Sequence, residues 1–197
     1  MIDFTTRRRV RLNGRAHRID GGLRLRAQQV YGNCPKYIQK RSILGGEPRG
    51  EEAASVASAA LSARQQSWIR SADTFFIATA HREAGADASH RGGEPGFVQV
   101  ESEAELIFPD YTGNTMFNTL GNIAANPHAG LLFIDFERGA TLQLTGTPQI
   151  DWSATPAASF AGAERAIRYR VEQVIEARGV TSLRWRLEEP SPHNPRR

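Results

Sequence analysis

Three stretches of this 197-residue chain concentrate side chains able to hold an anion or take part in group chemistry. The first, Asp87-Ala88-Ser89-His90-Arg91-Gly92-Gly93, offers a hydroxyl, an imidazole and a guanidinium beside two glycines. Glycine lets backbone N–H groups approach a ligand closely and arginine forks onto phosphate, so this stretch can cradle a phosphate. A polar hairpin loop between two strands has the same composition. The second, Pro109 to Asn122 (PDYTGNTMFNTLGN), opens a helix after a strand. A helix N-terminus attracts phosphate through its free N–H groups and dipole; an ordinary cap by Thr112 or Asn114 accounts for the same residues. The third, Asn33 to Ser42 (NCPKYIQKRS), holds both lysines, Lys36 and Lys40, with Arg41 and the sole cysteine, Cys34. Cys34 has no Cys–His–acid surroundings and is expected to be a buried structural thiol.

Other chemistries find no support. The five histidines (His17, His81, His90, His128, His193) show no metal-ligand spacing, so no metal is expected. No P-loop, GxGxxG or GxSxG occurs. The run Arg7-Arg8-Arg9 could touch nucleic acid, but it lies on an alternating strand and is expected to be a solvated face. The balance of 25 basic and 21 acidic residues, net +4, is not a nucleic-acid-binding composition. With 40% hydrophobic and 23% charged residues the chain is globular, and no apolar run reaches the ~20 residues of a membrane span. No signal peptide is expected at the N-terminus, and a single cysteine forms no internal disulfide; both point to the cytoplasm.

The elements that must position these residues are organised by an internal repeat. IDFTTRRRVRLNG (Ile2 to Gly14) matches IDFERGATLQLTG (Ile134 to Gly146) at a constant offset of 132. LRLRAQQVY (Leu23 to Tyr31) matches IRYRVEQVI (Ile167 to Ile175) at an offset of 144, with the difference absorbed by a longer loop around SATPAASFAG. Val10 and Leu12, like Leu142 and Leu144, alternate with polar residues and stop at glycine, as half-buried strands do. The last matched stretch also fits a helix, but Gly21-Gly22 before the first copy suit a hairpin and decide for strand. Leu183 to Leu187 alternates likewise. Upstream of the second copy the pattern predicts a helix over Leu61 to Arg70, a strand over Phe75 to Ala80 and a hairpin of Gly96–Val100 with Glu105–Phe108. A helix over Asn114 to Ala125 and a strand over Ala129 to Phe136 follow. Gly45 to Ala60 reads as a linker entering a helix, and SPHNPRR as a frayed tail. Residues 1–44 are therefore expected to be the C-terminal half of a first repeat, 45–60 a linker, 61–188 a complete domain and 189–197 a tail.

ADASHRGGEPGFV (Ala86 to Val98), followed by FPDYTGNTMFNTLGNIAANPHAGLLFIDF (Phe108 to Phe136) and LQLTG, resembles the flavin-binding family related to pyridoxamine 5'-phosphate oxidase. NCPKYIQKRS resembles the Cys-Pro-Lys motif that follows the barrel in many members. The resemblance implies a mainly β fold with a few helices: an FMN-binding split β-barrel plus the back half of a second, related barrel, as in the double-barrel subgroup. It implies FMN at a barrel interface, an oxidoreductase acting on a small-molecule substrate, a homodimer and a reductase partner. F420 or haem in place of FMN stays open, as do a non-catalytic accessory module and a degenerate remnant. By the same resemblance Ser89, His90, Arg91 and Gly92 match the cofactor-strand motif, Asn114, Asn118 and Thr119 a second flavin-contacting segment, and Lys36 and Arg41 a basic motif reaching the phosphate across the interface. Arg91 would fork onto phosphate, and Ser89 and Thr119 would supply hydroxyl donors. No catalytic residue is assigned, and vitamin B6 oxidation does not carry over.

Overall fold

The computed structural model describes residues 1–46, 54–113, 115–153 and 159–195. Asn114 and the 47–53 part of the expected linker lie outside them. The chain is mostly β. Its main sheet is antiparallel, built from β6 (Thr74–His81), β7 (Gly85–Gly92), β8 (Gln99–Val100), β9 (Glu105–Tyr111), β10 (Ala129–Asp135), β11 (Ala140–Asp151) and β12 (Ala163–Arg178). The strand order is β7-β6-β10-β11-β12-β9-β8, and β5 (Ala54–Ser58) adds to the far half of β12. Among the described residues the end strands β7 and β8 do not pair with each other, which leaves the open seam of a split barrel. No described helix is long and apolar enough to cross a membrane.

Period-2 alternation drives one face of these strands into a single core. Phe75 sits at its centre, stacked on Phe97 and Phe133 (ring centroids 5.7 and 5.3 Å apart) and edge-on to Phe108 at 5.1 Å. Leu142, Leu144, Ile167, Tyr169 and Val174 close the core from β11 and β12, all fully buried. The buried Tyr169 hydroxyl donates to the Ala129 carbonyl at 2.8 Å, so its polar end is satisfied. Helix α1 (Ala63–Ser71) starts at a Ser62–Gln65 capping box and buries Ile69; α2 (Asn118–Ala125) buries Leu120 and Ile123.

The N-terminal repeat forms a sheet of its own. β1 (Ile2–Asp3), β2 (Arg8–Ile19) and β3 (Gly22–Asn33) pair in sequence, β2 and β3 being joined by Asp20-Gly21 with Gly21 at φ 76°. Its ladder repeats that of β11–β12 residue for residue. Leu12 pairs with Val30 where Leu144 pairs with Val174, and Gly14 with Ala27 where Gly146 pairs with Val171. The β-bulge falls at Asn13/Gly14 in one copy and at Thr145/Gly146 in the other. Both bulges need glycine for one reason: a Cβ on Gly14 would run into the Arg26 carbonyl oxygen, and one on Gly146 into its repeat counterpart, that of Arg170. Gly139 takes a left-handed φ of 67° before β11, and Arg7 takes φ 56° at the matching place. The strain of a side chain there, about 1 kcal/mol, is offset by the contacts of the Arg7 guanidinium. It donates to the carbonyls of Ile38 (3.1 Å) and Pro190 (3.0 Å) and pairs with Glu189 at 3.2 Å.

The two copies meet through β4 (Lys40–Gly45) and β13 (Arg184–Glu189), an antiparallel pair. Its register is self-symmetric under the repeat: Trp185 faces Ile43, Arg41 faces Leu187, and Ser42 faces Arg186 on the local two-fold. Phe4 meets its counterpart Phe136 edge-on at 5.2 Å.

Four local expectations change. Asp87–Gly92 is not a loop between strands but belongs to β7. Ala54–Ser58 is not linker but strand β5, because its backbone completes the β12 edge. Helix α2 starts at Asn118, four residues later than expected. The tail is not frayed as far as Pro195: Ser191 is buried and donates its N–H to Gln39 Oε1 at 2.7 Å.

Candidate functional site

A cleft opens between the N-terminal ribbon and the main sheet. Arg9, Arg11 and Asn33 line it from the ribbon; Ser89, His90 and Arg91 line it from β7; Asp110, Asn118, Thr119 and Glu164 line it from β9, α2 and the start of β12. The site is thus assembled from both repeats.

Buried Asp87 is its hub. Arg11 forms an ion pair with Asp87 and donates to Ser89 Oγ at 3.0 Å. The hydroxyls of Ser89 and Thr119 both donate to Asp87 Oδ2, at 2.9 and 2.7 Å. A second carboxylate, Asp110, stands 3.8 Å from Arg91 and 2.9 Å from Arg165. Among the described residues no carboxylate pairs with Arg9, and its buried Nε has no hydrogen-bond partner. Burial lowers the pKa of Arg9, with Arg91 and Arg11 pressing the same way and Cys34 opposing. Burial also lowers that of Arg91, against the pull of Asp110 and Asp87. Three guanidiniums that repel one another and an unpaired buried donor together favour an anion.

His90 adds to this. Both ring nitrogens are buried without a partner, and its ring lies edge-on to Phe76 at 5.8 Å. Burial, reinforced by Arg9, Arg91 and Arg41, pushes its pKa down to about 3, so the imidazole is neutral. Since the unfolded value is about 6.5, the unfolded chain takes up the proton first and stability falls as the pH drops from 6.5 toward 3. The expected loss between pH 7 and pH 5 is about 2 kcal/mol. Urea unfolding at both pH values checks this: His90→Gln should lack that part of the acid sensitivity, and equal slopes in the two proteins would contradict it.

The remaining donors come from α2. Its N-cap, Phe117, takes φ 49° and provides no side-chain cap, and Thr115 nearby takes φ 57°. The N–H groups of the first turn therefore receive no capping oxygen from Phe117 and stand at the cleft wall that Asn118 and Thr119 line. Thr112, expected as a cap, instead donates to Glu164 at 2.9 Å and accepts from the Tyr37 hydroxyl through its carbonyl. Such left-handed non-glycine residues gather at functional sites.

The family model described as pyridoxamine 5'-phosphate oxidase matches residues 61–188, about two thirds of the chain. The chain belongs to the pyridoxamine 5'-phosphate oxidase family. No curated protein matches the sequence. Among solved structures, a single-residue variant of HupZ from Group A Streptococcus is 14% identical, with a TM-score of 0.48 over 59% of this chain and 98% of that one. A Clostridium acetobutylicum protein related to general stress protein 26, described as of the pyridoxinephosphate oxidase family, is 13% identical, with a TM-score of 0.42 over 63% and 92%. A FAD-binding protein from Mesorhizobium loti is 13% identical, with a TM-score of 0.39 over 64% and 97%. At this identity and TM-score none of these likenesses bears on chemistry.

Within this pyridoxamine 5'-phosphate oxidase family chain, the structure brings together Ser89, His90, Arg91, Asn118 and Thr119. Gly92 sits at the end of β7, so close to the Tyr37 carbonyl that a Cβ would collide with it. Asn114 lies outside the described residues. Lys36 and Arg41 are not in the cleft lining. Arg41 is buried on Asp73, both Nη2 distances being 2.6 and 2.7 Å, with its guanidinium 4.0 Å from the Phe136 ring centroid. The motif around it anchors one repeat to the other: Gln39, also buried, donates to the carbonyls of Asp73 and Gly93. Cys34 is half-buried. The arginine run is a solvated face only at Arg8. Arg7 clamps the C-terminal tail and Arg9 enters the cleft, because the strand bearing Arg9 lies against β7 and not against water. The sequence analysis assigned Arg9, Arg11, Asn33 and Asp87 no part in the site. The first three had a signal, since their repeat counterparts are Thr141, Gln143 and Ala177. Side chains that differ between copies on a shared backbone mark what the backbone does not require.

Proposed function

We propose that the chain binds FMN in this cleft, with the phosphate on Arg9, Arg91 and the N-terminus of α2, and acts as an FMN-dependent oxidoreductase. The observation that carries the proposal is the half-buried, carboxylate-free Arg9 from one repeat, its Nε buried without a partner, placed with Arg91 and the unpartnered imidazole of His90 from the other. This donor set fits a phosphate monoester. Arg11, Ser89 and Thr119 have a different part from the one the resemblance implied. Ser89 and Thr119 donate to Asp87, and Arg11 to Asp87, Ser89 and the Ala88 carbonyl, so they hold the wall of the site. Half-exposed Met116 and Phe117 provide an apolar rim on which a flat ring system can lie. His90, held neutral, serves as a hydrogen-bond partner and not as an acid. When bound, FMN would supply the redox chemistry, while the chain orients it and limits solvent access.

Titration of the purified chain with FMN and with riboflavin, followed by flavin fluorescence, tests the site. FMN should bind at least tenfold more tightly than riboflavin, which lacks the phosphate. Equal affinities would remove the phosphate assignment, and no uptake of either would remove the flavin. Bleaching of the bound flavin by NAD(P)H tests the oxidoreductase part.

A further inference from the structure

A second cavity, of about 480 Å³, lies between α1, the start of β6, the turn after β10, and the β4–β13 pair. It shares no lining residue with the cleft that Arg9 enters. Its size falls within the ~300–1,000 Å³ of small-molecule sites. Trp68, Phe136 and Trp185 give it aromatic walls, the last two meeting edge-on at 5.7 Å. Two of its lining side chains are buried and keep a polar atom unused. Arg41, 5% exposed, directs Nη2 to both oxygens of Asp73, and among the described residues its buried Nη1 has no partner. Thr74, 2% exposed, has a buried hydroxyl that is likewise unpartnered. Buried polar groups are almost always hydrogen-bonded, so two exceptions lining one cavity mark a place where a ligand completes the bonding.

We infer that this cavity is a second binding site, for a planar uncharged heterocycle that presents a carbonyl beside an N–H, as a lactam or imide edge does. The unused atoms select that edge. Arg41 Nη1 can only donate, so it calls for an acceptor; the Thr74 hydroxyl can also accept, so it takes the adjoining N–H. The aromatic walls suit a flat ring. Charge counts against an anion. Arg41 is already neutralised by Asp73, Arg64 is paired with Glu176, and Arg138 lies 3.3 Å from Asp135. Glu137 adds a carboxylate at the exposed rim. A cation would face the Arg41 guanidinium, so the ligand that fits both floor and rim is uncharged.

The chain supplies its own reporters, since two of its three tryptophans, Trp68 and Trp185, line this cavity. The third, Trp152, stacks instead near Arg165, at 5.6 Å, and Trp152→Phe removes its signal. The test titrates the Trp152→Phe chain with uracil and with hypoxanthine and follows tryptophan quenching. At least one of them should bind with a Kd of about 1 mM or tighter. N,N'-dimethyluracil, which keeps both carbonyls but has no N–H, and benzoate, which is flat but anionic, should bind at least tenfold more weakly. Adding Thr74→Val keeps the side-chain shape and removes only the unpartnered hydroxyl. It should cut the affinity at least fivefold and leave the urea midpoint no lower. No quenching by either heterocycle at about 10 mM overturns the inference. So does benzoate or dimethyluracil binding as well as uracil, or an affinity that Thr74→Val leaves unchanged. A lower midpoint in Thr74→Val overturns it too, since the hydroxyl would then already be bonded within the fold.

Discussion

Arg9→Ala should weaken FMN binding roughly ten- to hundredfold while the unfolding midpoint in urea stays where it is. The loss corresponds to a hydrogen bond to a charged group, about 1.5–3 kcal/mol. The unchanged stability follows from the surroundings: no described carboxylate is stranded by the change, and the repulsion of Arg9 by Arg91 and Arg11 is relieved. Arg9→Lys keeps the charge but not the planar fork, and should recover only part of the affinity. Riboflavin affinity should hardly respond to either substitution. A parallel loss of FMN and riboflavin binding would show that Arg9 supports the cleft and does not hold the phosphate. Arg91→Ala should weaken FMN binding by a similar factor, but it also removes a neighbour of Asp110 and so should lower stability.

Arg41→Ala should have the larger effect on the fold, about 3–5 kcal/mol, the cost of leaving one member of a buried ion pair alone. Asp73 would be left at 13% side-chain exposure with its two short bonds gone. The guanidinium over Phe136 would go too, and with it a contact across the local two-fold. Against the 5–15 kcal/mol that typically holds a domain together, this is a large fraction. Chemical denaturation should show the midpoint falling by that amount. Arg41→Met, which refills the space on Phe136 but still strands Asp73, should restore little. If Arg41→Ala shifts the midpoint by under 1 kcal/mol, the pair is solvated and the anchoring role assigned to the NCPKYIQKRS segment fails.

Strand periodicity and the internal repeat were legible in the chain itself, with the turn expected at Gly21-Gly22 found one residue earlier, at Asp20-Gly21, and the strand expected over Leu183 to Leu187 found at Arg184–Glu189. Both are local signals, set by alternation and by glycine. The β7 segment was misjudged because Asp87, Ser89 and Arg91 put polar residues on a face that looks like a loop until the ribbon covers it. The start of α2 was misjudged because left-handed Thr115 and Phe117 take conformations that favour glycine or asparagine. In the site, Ser89, His90, Arg91, Asn118 and Thr119 could be found from motifs, since they lie close in sequence. Arg9 and Asp87 could not, because what makes each matter is a contact between segments about eighty residues apart. Arg41 carried the right charge and went elsewhere: Asp73 and two phenylalanine rings compete for it, and nothing in the spacing of a basic motif shows that competition.

The matching ladders have a meaning in the language of descent. Two ribbons with one register, one bulge and one glycine are two copies of a single backbone pattern. Such copies are interchangeable as backbone, so a recombination event that replaced residues 8–33 by their counterparts would leave the bulge and strand pairing in place. The same event would put threonine, glutamine and alanine where Arg9, Arg11 and Asn33 stand, and the cleft would lose both guanidiniums from that side. Within this one gene product, then, architecture and binding chemistry are inherited separately. One copy of the backbone is packed into the core, and the other presents Arg9 and Arg11 to the cleft.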